Sequence, residues 1–152
     1  MFKQKKLVSA IVCSSLALTA CNSNDDDNVG ASSKAVTTTT ITVTPSLGKI
    51  LNGRVTLKNA KTGVALAPTQ TLTPTSNGTA TFTVPVSQIA EPVLAEVLPT
   101  TAGVVEYFDE ALESNKKITV PTADVAKPIL RAAANVTANA NIGVTGLTEA
   151  AV

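Results

Sequence analysis

Pro74-Thr75-Ser76-Asn77-Gly78-Thr79-Ala80-Thr81-Phe82-Thr83-Val84 is the stretch whose reading decides the fold. Asn77-Gly78 is the strongest short-range hairpin signal in the chain, because both residues tolerate φ > 0. From Thr79 onward the pattern has period two. Ala80, Phe82 and Val84 share one side and the threonines the other, as in a strand with one apolar face toward a core.

The same grammar extends in both directions. Upstream, Thr39-Thr40-Ile41-Thr42-Val43-Thr44 alternates β-branched residues. Ile50 to Lys58 is a second strand, with Val55 and Leu57 on one face and Arg54, Thr56 and Lys58 on the other; Gly53 marks a bulge. Asn59 to Gly63 is a turn, Val64-Ala65-Leu66 a short strand, and Thr69 to Thr73 another. Downstream, Val93 to Leu98 is mostly apolar and therefore central, with Val104 to Phe108 as its partner. Asp109 to Asn115 is an acidic connection, and Ile118-Thr119-Val120 a short strand. Pro121 to Pro128 is a loop or a helical turn, and Leu130 to Ala133 and Asn141 to Val144 are two further edge strands. No long 3.6-residue stripe runs between residues 39 and 140. Short strands with turn signals between them predict an all-β fold, an antiparallel β-sandwich of about seven strands over residues 39–144.

Part of this region resembles the prealbumin-like carboxypeptidase regulatory-like domain. The residues that carry the likeness are Asn52-Gly53-Arg54-Val55, Lys61-Thr62-Gly63-Val64-Ala65-Leu66 and Ser76 to Pro85. The resemblance implies a seven-stranded sandwich, mostly non-catalytic, that stabilises neighbours or presents a surface; an unrelated Ig-like sandwich is the alternative. After Ile142-Gly143-Val144, Thr145 is a suitable N-cap and Leu147 to Val152 are good early helix residues. This end, residues 145–152, resembles the join at which some bacterial surface lipoproteins hand over from a sandwich to a helical domain. It is expected either to dock on the sheet or to begin a truncated helix, and the second option would make the chain the N-terminal accessory domain of a longer surface protein or enzyme.

The N-terminus carries a separate message. Lys3, Lys5 and Lys6 precede an apolar run from Leu7 to Leu18, and Leu18-Thr19-Ala20-Cys21 follows. The run is shorter than the roughly 20 apolar residues needed to span a bilayer and has secretory length. Leu18, Thr19, Ala20 and Cys21 resemble the bacterial lipobox. That resemblance implies cleavage of residues 1–20 as a signal peptide and attachment of diacylglycerol and an acyl chain to Cys21, which anchors the protein in a membrane. One acyl chain holds only marginally, so two or three make the anchorage essentially permanent. Residues 21–38 then read as the lipidated cysteine and a polar, aperiodic tether. About 17 flexible residues span roughly 20–25 Å. Asn22, where enterobacterial lipoproteins retained in the inner membrane carry aspartate, points by the same resemblance to the outer membrane of a Gram-negative bacterium.

Composition narrows the chemistry. Of 152 residues, 132 run from Cys21 onward, enough for one domain. Removing Lys3, Lys5 and Lys6 from the 12 basic residues leaves 9 against 11 acidic, a net of −2. That balance argues against nucleic acid as a partner. Histidine is absent throughout, and with it the commonest general base and metal ligand. Cys13 leaves with the signal and Cys21 is taken by lipid, so the mature chain has no disulfide or thiol chemistry. Phe82, Tyr107 and Phe108 are the only aromatics after Cys21, a poor supply for stacking sugars or bases.

One cluster remains. Glu106, Asp109, Glu110 and Glu113 surround Tyr107. They are weak candidates for a calcium site or for the paired carboxylates of a glycosidase; a solvated turn is the simpler reading. Asp25, Asp26 and Asp27 read as a solvated acidic run. No cofactor is expected. The expectation is a lipid-anchored envelope protein, not an enzyme, whose sandwich binds a protein or glycan partner or serves a structural role. An envelope-assembly accessory is the other binding class.

Overall fold

The computed structural model describes residues 35–152. Nine strands follow in chain order: β1 Thr38–Ser46, β2 Lys49–Asn59, β3 Gln70–Leu72, β4 Ala80–Pro85, β5 Val93–Leu98, β6 Val104–Asp109, β7 Ser114–Thr119, β8 Leu130–Ala134 and β9 Ala140–Thr145. One helical turn, α1 Gly146–Glu149, closes the chain. The fold is an all-β sandwich built mainly of antiparallel pairs. One layer runs β4-β1-β9. The other runs β3-β2-β5-β8, with Gly53–Val55 pairing β3 and Arg54–Asn59 pairing β5.

β2 serves both layers because it is long and irregular. Its first residues pair β6, which pairs β7 in turn. The register shifts between Ile50 and Asn52, so the irregularity sits at Leu51 and not at Gly53. Leu51 is the extra residue. It keeps Ile50 in the core opposite Tyr107 while Asn52 faces outward opposite Glu106. Gly48, in the turn before β2, has φ +91°, and a Cβ there would collide with the carbonyl oxygen of Phe108. Only glycine meets both conditions.

The alternation read from the sequence holds where it was clearest. Ile41 and Val43 on β1, Ala80, Phe82 and Val84 on β4, and Val55 and Leu57 on β2 are all buried in one core with Val93, Ala95, Val97, Leu130, Ile142 and Val144. Burying each large side chain contributes about 1.5–3 kcal/mol. The residues between them, Thr81 and Thr83 among others, face water.

Several expectations need correcting. Nine strands replace about seven. Asn77-Gly78 does not close a two-stranded hairpin. It ends a 3₁₀ turn at Pro74–Ser76, with Asn77 at φ 54° and Gly78 at φ 74°, and the chain passes from β3, which pairs β2, to β4, which pairs β1. The dipeptide supplies the two left-handed residues it promised, in a crossover between layers. Val64-Ala65-Leu66 makes a single bridge, Ala65 to Lys58, and no strand. The short strand placed at Ile118–Val120 is the end of β7, which begins at Ser114. β9 lies parallel to β1, from Ile41↔Ala140 to Ser46↔Thr145. The Pro121–Pro128 loop contains a 3₁₀ turn at Thr122–Asp124.

α1 docks on the sheet. Thr145 caps it as expected, its hydroxyl accepting from the Thr148 backbone N–H at 3.3 Å. The Thr148 hydroxyl also lies 3.0 Å from the carbonyl oxygen of Arg131, and the Arg131 guanidinium grips the Glu149 carboxylate at 2.7–3.2 Å.

Candidate functional site

Leu18, Thr19, Ala20 and Cys21 lie outside the described residues, as do Asp25, Asp26 and Asp27. The described chain enters through exposed Ala35–Thr37, and the Thr37 carbonyl accepts from the Val86 N–H at 2.9 Å. The entry end of the sandwich therefore also holds the 3₁₀ turn at Val86–Ile89 and, through the bond from the Ala60 N–H to the Pro92 carbonyl, the Asn59–Gly63 turn. β1 then runs nine residues to Ser46, about 25 Å away at strand rise. The acidic cluster sits at that far end, where Lys49 pairs Phe108 and Asp109 pairs Ser114.

The structure distributes the four carboxylates of that cluster. Glu106 and Asp109 are three positions apart on β6, so their side chains leave opposite faces of the strand. Glu106 pairs with Lys117 across the β6–β7 ladder at 2.8 Å. Asp109 Oδ1 accepts from the N–H groups of Ala111 and Leu112, at 3.0 and 3.1 Å, and so shapes the turn. Glu110 is exposed in that turn. Glu113 closes it at φ 47°. Among the described residues no group of three or more Asp, Glu, Cys or His is placed to hold a metal ion. The arrangement is a turn between two strands, not a converging site.

A carboxylate outside that cluster has the more developed environment. Glu96 interrupts the apolar run of β5 and is 7% exposed. It lies on the outward face of its layer between Thr56 of β2 and Arg131 of β8. Lys58 Nζ approaches its Oε2 at 2.6 Å, and the Thr56 hydroxyl donates to the same oxygen at 3.1 Å. A buried charge needs such partners, because transfer from water is costly without them. Beside it, Arg54 spends its guanidinium on two carbonyls, Pro99 at 2.7 Å and Val125 at 2.8 Å, tying the 120s loop to the sheet. The sequence signal for this cluster was a lone charge in Val93-Leu94-Ala95-Glu96-Val97-Leu98.

Arg131 and Glu149 extend the polar row to α1. Hydrogen bonding to Arg131 holds the Glu149 carboxyl below its ordinary value against the opposing effect of desolvation, and the same bond raises the Arg131 pKa. Asp124 pairs with Lys127 at 2.7 Å and raises the lysine pKa in the same way. Each of these charges has a structural partner.

Among the described residues, clefts open at both ends of the sandwich. One, of about 280 Å³, lies at the entry end between Val64–Leu66 and Ser87–Glu91. The other, of about 180 Å³, lies at the far end beside Lys49, Asn77 and Glu110. Both fall below the usual 300–1,000 Å³ of small-molecule sites. No protein-family model matches the chain, and no curated protein matches it.

Proposed function

We propose that this chain is a lipoprotein anchored in the outer membrane through Cys21, and that its sandwich is a non-catalytic binding or structural module of the cell envelope. Leu18-Thr19-Ala20-Cys21 at the end of a short apolar run carries the reading; β1 begins 17 residues after Cys21, a spacing that suits a tether. The carboxypeptidase regulatory-like resemblance supports the module's role. Its quoted residues fall on β2, on the Asn59–Gly63 turn with its glycine at φ 71°, and on the crossover and β4. Against catalysis stand the absence of histidine and the separate employment of Glu106 and Asp109.

The test is Cys21→Ser in the full chain, expressed in a Gram-negative host with an alkyne-tagged palmitate supplied. The wild type is expected to take up the label and to fractionate with outer membranes. The variant is expected to remain an unlabelled, full-length precursor in the inner membrane. Normal cleavage and release of the variant removes the lipobox reading.

A further inference from the structure

Exposed apolar side chains gather at the entry end, around one cleft. Val36, 69% exposed, stands one residue before Thr37, whose carbonyl accepts from the Val86 N–H. Val86 is 40% exposed and opens the 3₁₀ turn Val86–Ile89. Val64, 63% exposed, lines the cleft of about 280 Å³ together with Ser87 and Gln88. A single exposed valine is ordinary on a protein surface. Three at one end, around the point where the described chain enters, form an apolar rim that the described residues leave uncovered.

The far end also exposes apolar side chains, in a different electrostatic setting. Leu112 lies in the turn that holds Asp109, Glu110 and Glu113. Leu147 and Val152 follow β9, which finishes at the same end, where Thr145 pairs Ser46. The three carboxylates of the turn outnumber Lys49 and Lys116 beside them, so a phosphate-bearing surface brought against this end meets like charge. At the entry end Lys61 and Glu91 have opposite signs and lie 3.9 Å apart. That end can approach phosphates without net repulsion.

We infer that the rim of Val36, Val64 and Val86 rests on the phospholipid surface that holds Cys21, an inference that builds on the lipid anchor proposed above. Reach decides the occupant. β1 begins 17 residues after Cys21, and a coil of that length spans roughly 20–25 Å. The anchor therefore keeps the entry end within that distance of the headgroups, while β1 carries the far end about 25 Å further along the chain. A tether this short gives the surface an effective concentration on the order of millimolar at the entry end. A freely diffusing protein partner has no such advantage. Three valines are too little apolar surface to recruit a protein to a membrane, but a domain already held there needs them only to fix its orientation.

The test uses the full chain, expressed in a Gram-negative host and reconstituted into vesicles of phosphatidylethanolamine and phosphatidylglycerol doped with a headgroup spin-labelled lipid. Thr62→Cys, in the entry-end cleft, and Leu112→Cys, in the far-end turn, each carry a bimane fluorophore. The label at position 62 is expected to be quenched severalfold more strongly than the label at position 112. Val36→Asp with Val64→Asp, both at well-exposed positions, is expected to float with the vesicles and to melt as the wild type does, with quenching at position 62 reduced to the level at position 112. Flotation reads the anchor and quenching reads the contact. Protein that does not float with the vesicles overturns the anchor and this inference with it. Floating protein with equal quenching at the two positions, or with quenching at position 62 that survives the two aspartates, overturns the contact alone.

Discussion

The acidic turn between β6 and β7 and the lone Glu96 of β5 make opposite use of carboxylates. Asp109, Glu110 and Glu113 are dense in sequence, yet one shapes a turn, one faces water and one occupies a left-handed position. Glu96 stands alone among valines and leucines, yet it is buried, shares one oxygen between Lys58 and Thr56, and lies beside Arg131. Density along the chain measures local charge; burial with a specific partner measures what the fold has invested in a group. In this protein the two run in opposite directions.

The difference can be broken experimentally. The core sets the top of the scale. Phe82→Ala should cost about 3–5 kcal/mol, read as a fall in the denaturant midpoint, and a melt left unchanged would take Phe82 out of the core. Lys58→Met comes next. It leaves the buried Glu96 carboxylate with the Thr56 hydroxyl as its one direct partner, and since Lys58 is itself partly exposed, a loss of about 1–3 kcal/mol is expected. An effect within a few tenths would put Glu96 on the same footing as the turn. At the low end, replacing Glu106, Asp109, Glu110 and Glu113 together by Gln or Asn should change stability by only a few tenths of a kcal/mol per site. Calcium should leave the wild-type melting temperature nearly unmoved, because a ligand stabilises only by preferring the folded state. A calcium-dependent rise that disappears in the quadruple variant would make the turn a metal site and reverse the comparison.

Glu149 tests the polar row at its other end. Its folded-state pKa is depressed by Arg131, so its contribution is fully present above the unfolded-chain pKa. That contribution is lost as pH falls through the folded value. Acidification below the ordinary carboxylate range should therefore loosen α1 from β8 while the core stays folded. The Glu149 side-chain NMR shift should titrate below the usual glutamate range in the wild type and return to it in Arg131→Leu. Equal titration in both proteins would remove the ion pair.

Local rules made the strands legible and long-range choices hidden. β1, β2 and β4 announced themselves through alternation, because a sheet with one buried face imposes period two, and Thr145 announced a cap. Asn77-Gly78 misled because the dipeptide specifies two left-handed residues without specifying which strands they join. The parallel placement of β9 on β1 joins residues about 100 positions apart, and no local pattern encodes that pairing. Glu96 was visible as an anomaly, but its partner Lys58 comes from the pairing of β2 with β5. The acidic cluster was equally visible, but the sequence suggested a strand ending at Phe108, and only the extension of β6 through Asp109 puts Glu106 and Asp109 on opposite faces.

The mass of the mature N-terminal peptide tests the proposed lipid anchor at Cys21 most directly. Protein recovered from outer membranes and digested should yield a peptide beginning at Cys21 and carrying the added mass of a diacylglyceryl group and an N-acyl chain. A peptide beginning at Met1, or an unmodified Cys21 within a longer peptide, would contradict the account.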